Sequence, residues 1–201
     1  MSVRRRWLAL GWRAAKLMLR GPDATAELVR ASYDHAAATY DDAWTSHMRG
    51  LSLAMLDRLA PPTGAACLDL TCGTGFVTAE LAQRTGGRAL GVDSSGGMLE
   101  FARRHYGDRC AFVQDDAVEY LRRCRHRTLD VITCAWGLGY SRPWRLVREA
   151  RRVLRPDGRL GVIDNTLLSL SRVLWASILT FAECPDALRH AMRVRFLPGS
   201  W

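Results

Sequence analysis

The stretch Cys67-Leu-Asp69-Leu-Thr71-Cys72-Gly73-Thr74-Gly75-Phe76 decides the fold. It reads as a short apolar strand feeding a glycine turn that opens a helix, and glycine is needed where a ligand must approach the backbone more closely than a Cβ allows. Working outward, apolar runs stand at Ala66–Leu70, Arg88–Val92, Ala111–Val113, Leu129–Ala135 and Arg159–Ile163. Helical stretches at Phe76–Arg84, Gly97–His105, Ala117–Arg123 and Pro143–Leu154 alternate with them. This βαβα rhythm predicts an α/β, doubly wound, mainly parallel sheet with helices on both faces. In such sheets ligands bind at the carboxyl ends of the strands.

The second run ends at Asp93, eighteen residues after Gly75, the distance at which a carboxylate can accept hydrogen bonds from ribose hydroxyls. A glycine turn with a ribose acid suits a nicotinamide dinucleotide and S-adenosylmethionine (SAM) alike. Two details favour SAM. Thr78 stands where a dinucleotide turn has its third glycine, and Asp69 puts at the strand end a carboxylate that repels a pyrophosphate and attracts an ammonium group.

The segment from Cys67 to Asp164 resembles the class I SAM-dependent methyltransferases, in particular their small-molecule and quinone C-methyltransferase branch. Asp69–Gly75 is similar to the family's first motif and Gly91-Val-Asp93-Ser-Ser-Gly-Gly-Met98-Leu to its second. Phe112-Val-Gln-Asp-Asp116-Ala117 resembles the adenine-reading motif, Asp130-Val-Ile-Thr-Cys-Ala-Trp136-Gly the fourth strand, and Arg152-Val-Leu-Arg-Pro-Asp-Gly158 the turn before the fifth. The resemblance implies a Rossmann-like domain in which Asp69, Thr71, Cys72, Gly73, Thr74 and Gly75 hold the methionine end of SAM. It further implies that Asp93, beside Ser94, takes the ribose hydroxyls, that Met98 packs on the adenine, and that Asp116 with the Ala117 backbone reads the adenine amino group. Asp115 is then a helix cap or simply solvated beside that reader. Ala135 and Trp136 would lie near the sulfonium. Three positions depart from the pattern: Thr71 replaces the commoner first glycine, Cys72 a small residue, and Asp157 a glycine.

Plainer roles compete at some positions: Asp93 as a helix cap, Met98 as ordinary core. Tyr33-Asp34 and Tyr40-Asp41-Asp42 resemble the family's helical lid, which implies that Tyr40 closes the cofactor pocket. Methyl transfer needs a protein base only when the acceptor must lose a proton; His35, Tyr40, His47, Tyr140 and Asp164 are candidates, and none is singled out. No Asn/Asp-Pro-Pro-aromatic motif follows the fourth strand and there is no Pro-Cys pair, which disfavours nucleic-acid bases and protein glutamine as acceptors. A small, lipophilic acceptor, lipid or quinone-like, remains, approached past Trp136, Tyr140 and an apolar helix over Leu167–Phe181.

The 201 residues carry a net charge of +9, and Arg4, Arg5, Arg6, Arg13, Lys16 and Arg20 are balanced by no acid in the first twenty positions. The other 181 residues hold 23 basic against 20 acidic side chains. On a helix, Arg5, Arg6, Arg13, Lys16 and Arg20 fall within about a 100° arc opposite Val3, Trp7, Leu10, Ala14, Leu17 and Met18. That pattern suits an anionic membrane surface, a helix packed on the domain, or, less well, a phosphate-tracking arm with Arg122, Arg123, Arg125, His126 and Arg127 as a second patch. The apolar stretch after the arginine run is broken at Arg13, too soon for a signal core.

Six cysteines form no pair or cluster of zinc-ligand spacing, the pattern of reduced thiols in a cytoplasmic protein. The expected organisation is a basic amphipathic helix over 1–20, a helical cap over 21–62 and the SAM-binding domain over 63–201. Within the cap, helices are expected from Asp23 to about Tyr40 and from about Ala43 to Leu59. After Ile163, helices are expected over Leu167–Glu183 and Asp186–Arg193, with Met192–Leu197 as one short strand. The family's closing strand hairpin is thus not evident: either the sheet is abbreviated or the chain is a truncated form ending at Trp201. A SAM-binding partner subunit without catalysis and a nicotinamide-dependent oxidoreductase are the alternatives to a methyltransferase.

Overall fold

The computed structural model describes residues 2–20, 25–36, 46–166, 168–169 and 171–190. They fall into two compact units, Arg30–Asp164 and a second made of residues 1–29 with 165–201.

The Arg30–Asp164 unit is built on a five-stranded sheet: β1 (Cys67–Leu70), β2 (Ala89–Asp93), β3 (Cys110–Gln114), β4 (Leu129–Ala135) and β5 (Leu154–Ile163). The order is β3-β2-β1-β4-β5, every pairing parallel. Central β1 is buried along its whole length, as a parallel strand covered on both faces must be. Its register sets Asp69 beside Gly91 of β2 and Thr133 of β4. Between the strands run α4 (Phe76–Thr85), α5 (Gly96–Tyr106), α6 (Ala117–Arg123) and α7 (Pro143–Val153), preceded by α3 (Ser46–Leu59). Leu68, Leu70, Leu81, Leu99, Leu121, Ile132 and Leu146 are fully buried.

Local chemistry fixes the helix starts nearest the strand ends. The Ser95 hydroxyl accepts from the Met98 N–H and caps α5, and the Asp116 carboxylate accepts from the Val118 and Glu119 N–H groups and caps α6. Proline occupies the first turn of α7, where its missing N–H costs nothing.

Three boundaries differ most from the sequence expectation. β5 starts at Leu154, directly after α7, because the stretch expected as a turn is absorbed by an irregular pairing: Leu129 faces Leu154 but Val131 faces Arg159. The helix expected from Leu167 begins at Ser171 as α8 (Ser171–Glu183). Ahead of it the Thr166 N–H donates to the Ser169 Oγ and the Ser169 N–H to the Thr166 Oγ1, local bonds that compete with helix. In place of the helix expected from Asp186 there is a short 3-10 turn at Pro185–Ala187, and residues from 191 onward lie outside the described ones.

The second unit holds α1 (Val3–Leu19), α8 and that turn; the boundary with the first unit falls within α2 (Thr25–Ala36). The Arg13 side chain joins its ends, donating from Nε to the Leu188 carbonyl at 2.6 Å and pairing with Asp186 at 2.9 Å. No residue of α1 is buried. Among the described residues no helix is long and apolar enough to cross a membrane.

Candidate active site

The turn after β1 is where the sequence concentrates its glycines, and the two act for different physical reasons. Gly75 has φ +89°, and a Cβ there would sit 3.0 Å from Ala102 Cβ and Phe112 Cζ, so the turn is pressed on its own core. Gly73 has φ +54°, yet a Cβ would meet nothing within 4 Å. One glycine serves packing; the other leaves a bare, open stretch of backbone at the strand ends.

Asp93 ties this turn to the next loop. Its Oδ2 accepts from the Gly73 N–H at 2.9 Å and its Oδ1 from the Ser95 N–H at 2.9 Å. Burial pushes its carboxyl above the ordinary carboxylate range, against the pull of the Ser95, Gly73 and Ser94 N–H groups. Each carboxylate oxygen keeps a second lone pair, so the side chain can bind its own loops and still accept from a ligand hydroxyl. Ser94 is exposed, Ser95 and Met98 are buried.

Asp69 is almost wholly buried, with Oδ2 accepting from the Thr78 Oγ1 and Oδ1 from the Thr133 Oγ1, both at 2.7 Å. Burial pushes its pKa up to about 7, opposed by those hydroxyls. Neither threonine was singled out from the sequence as a partner; the only trace was Thr78 itself, at the position of the absent third glycine.

Thr71 takes φ +54°, a conformation that crowds a β-branched side chain. Its hydroxyl donates to the Leu70 carbonyl and lies 3.4 Å from the Cys134 Sγ. Cys72 turns into the core: its Sγ would lie 2.8 Å from a Cβ placed on Gly91. Burial raises its thiol well above the usual range. Thr74 is buried beside it. All six cysteines are free.

At the end of β3 the helix cap is the second acid of the pair, not the first. Asp116 caps α6, while Asp115 pairs with Arg123 and accepts from the Asp116 N–H at 2.9 Å. Arg142 stands 3.6 Å from Asp116. Ala117 is buried at the first position of α6.

β4 delivers Ala135 and Trp136. Trp136 has φ +65°, its N–H donates to the Ile163 carbonyl at 2.7 Å, and its Nε1 donates to the Ser52 Oγ of α3 at 3.0 Å. Ser52 is buried and nothing in the sequence marked it. Beyond, the Gly139 N–H donates to Asp164 Oδ2 at 2.8 Å, and the exposed Tyr140 meets the Tyr33 ring edge-on, centroids 6.0 Å apart. His35 is exposed; Tyr40 and the His47 side chain lie outside the described residues. The structure thus gathers Asp69, Thr71–Gly75, Asp93 with Ser94, Asp115–Ala117 and Ala135–Trp136 at the carboxyl ends of four adjacent strands.

Residues 67–158 match the family described as methyltransferase domain. The chain is 36% identical over 122 residues, 57% of its length and 48% of the relative, to a ubiquinone/menaquinone biosynthesis C-methyltransferase of Roseobacter denitrificans. It is 30% identical to a 2-phytyl-1,4-naphtoquinone methyltransferase of Trichormus variabilis, covering 68% of this chain and 64% of that one. Among solved structures, that of DhpI in complex with SAH superposes with a TM-score of 0.57 at 27% identity, over 71% of this chain and 70% of that one. Residues 67–158 are thus a methyltransferase domain, and the chain is similar to SAM-dependent methyltransferases, quinone C-methyltransferases among them. The chain spans about half the length of the Roseobacter relative.

Proposed function

We propose that the protein transfers a methyl group from SAM to a small, lipophilic acceptor, lipid or quinone-like. The observation that carries this reading is the open Gly73 backbone tied to the Asp93 carboxylate: a bare turn and a ribose acid at the ends of adjacent strands, inside a methyltransferase domain. The donor set fits the cofactor. Asp69 would meet the ammonium of the methionine end, with Thr71, Cys72, Gly73, Thr74 and Gly75 as its cradle. Asp93, flanked by Ser94, would take the ribose hydroxyls, Met98 would pack against the adenine, and Asp116 with the Ala117 N–H would read its amino edge, Asp115 steadying the loop. Ala135 and Trp136 would flank the sulfur, and Tyr40 would close the pocket.

SAM supplies a methyl group on a leaving group that is already activated. What the chain contributes is orientation of the two reactants in line and exclusion of water. Trp136, fixed through Ser52, forms a rigid wall for that purpose, and no side chain is assigned as a base. The quinone methyltransferases among the relatives support the acceptor class. The basic, tryptophan-bearing residues 1–20 would bring the enzyme to an anionic membrane surface, the cytoplasmic face, where such an acceptor dissolves.

Incubation of the protein with methyl-labelled SAM and a bacterial lipid extract tests this. Label in the lipid fraction is expected. Tight S-adenosylhomocysteine binding with label in no fraction would mean a SAM-binding partner subunit instead, and absence of binding would defeat the reading altogether.

A further inference from the structure

We propose that Asp34 is a positioning residue of the cofactor site: it fastens the end of α2 to the β2–α5 loop and holds the nucleoside end of the pocket in its binding shape. The inference rests on the function proposed above.

Asp34 Oδ1 accepts from the Ser95 Oγ at 2.6 Å and from the Gly97 N–H at 2.9 Å. Those two donors hold its carboxyl below the usual carboxylate range, helped by Arg30, so the bonds are charge-assisted at neutral pH. Ser95 is the hub of the loop. Its N–H is on Asp93 Oδ1 at 2.9 Å and its Oγ accepts from the Met98 N–H at 3.1 Å. A serine hydroxyl has one proton; giving it to Asp34 turns the lone pairs toward Met98 and fixes the hub. Asp34 is therefore one residue removed from the acid that would hold the ribose.

The approach of α2 is backbone on backbone. A Cβ on Gly97 would lie 3.0 Å from both the Cα and the carbonyl oxygen of Asp34, so this glycine of the second motif admits the helix rather than the ligand. The neighbouring Tyr33 meets Tyr140, which follows β4, edge-on. Consecutive residues of α2 thus reach the loops after β2 and after β4. Those strands flank β1 in the sheet, so the end of α2 is anchored on either side of the strand that carries the glycine turn.

Titration calorimetry of the full chain with S-adenosylhomocysteine and with 5′-methylthioadenosine, which lacks the amino-acid end, tests this. Asp34→Ala should weaken both ligands by the same factor, about tenfold. Asp34→Asn, which keeps an acceptor oxygen for Ser95 and Gly97, should recover most of the loss. Gly97→Ala, which wedges the helix away by another route, should weaken both ligands as well. Unchanged affinity in Asp34→Ala, or a loss confined to S-adenosylhomocysteine, overturns the inference while the methyltransferase reading stands. A wild-type protein that binds neither ligand overturns both.

Discussion

At the scale of the single residue, Asp69 carries the sharpest electrostatic consequence. Its pKa is pushed up to about 7 by burial, whereas an unfolded aspartate titrates near 4. Between those values the folded protein binds a proton that the unfolded chain has lost, so this group stabilises the fold at low pH and ceases to do so as pH rises through the window. Denaturant titrations at pH 5 and pH 7.5 should show Asp69→Asn relieved of a stability loss on the order of 2–3 kcal/mol that the wild type suffers over the same interval. The asparagine is tolerated because the hydroxyls of Thr78 and Thr133 can each reverse and accept. Equal pH dependence in the two proteins would show that Asp69 is not the group responsible. The sequence displayed the acid and its place at a strand end, but not its two hydroxyl partners. One of these lies on the neighbouring strand, 64 positions away, and only the register of β1 with β4 brings it to hand.

At the scale of the element, the turns after β1 and β4 form one interlocked device. Thr71 holds φ +54° and Trp136 φ +65°, both in a region that costs side-chain-bearing residues roughly 1–2 kcal/mol. Room for the Thr71 side chain exists because residue 137 is glycine: a Cβ there would fall 2.3 Å from the Thr71 Oγ1 and 2.5 Å from its Cβ. The departure of Thr71 from the family pattern is thus matched by a glycine on another strand's loop. Gly137→Ala should destabilise the fold by about 1–3 kcal/mol through overpacking. Adding Thr71→Gly should recover most of that loss, giving a coupling energy well above zero in a double-mutant cycle read by chemical denaturation. Additive effects would separate the two turns. The same logic shows why the elements were legible and their details were not. Apolar runs are local signals, and they located β1 to β4 within a residue and the end of β5, though not its start. The irregular pairing of β5 and the Ser52 support under Trp136 arise from partners distant in sequence, which no local pattern records.

At the scale of the whole molecule, charge and exposed apolar surface collect in the same unit. Trp7, Leu8, Trp12, Met18 and Leu19 of α1 are exposed, and so are Val173, Trp175, Ile178 and Leu179 of α8. Trp12 is 76% exposed and Trp175 64%. Soluble surfaces rarely leave so much apolar area uncovered without a use, and interfacial tryptophans beside arginines fit the headgroup layer of a bilayer. Arg13 is engaged with Asp186 and the Leu188 carbonyl, while the other basic side chains of α1 carry no ion pair among the described residues. The second basic patch of the sequence is weaker than its composition suggested, since Arg122 pairs with Glu119 and Arg123 with Asp115. Co-sedimentation should therefore show binding to phosphatidylglycerol-containing vesicles, weak binding to pure phosphatidylcholine, and loss of binding as salt screens the arginines. Trp12→Ser with Trp175→Ser should weaken vesicle binding about tenfold or more, because two large apolar anchors are withdrawn. Both side chains are exposed, so the pair should leave the thermal midpoint within a few degrees of the wild type. Unaltered vesicle binding in the double variant, or a self-association in solution that the same substitutions abolish, would assign this face to another partner.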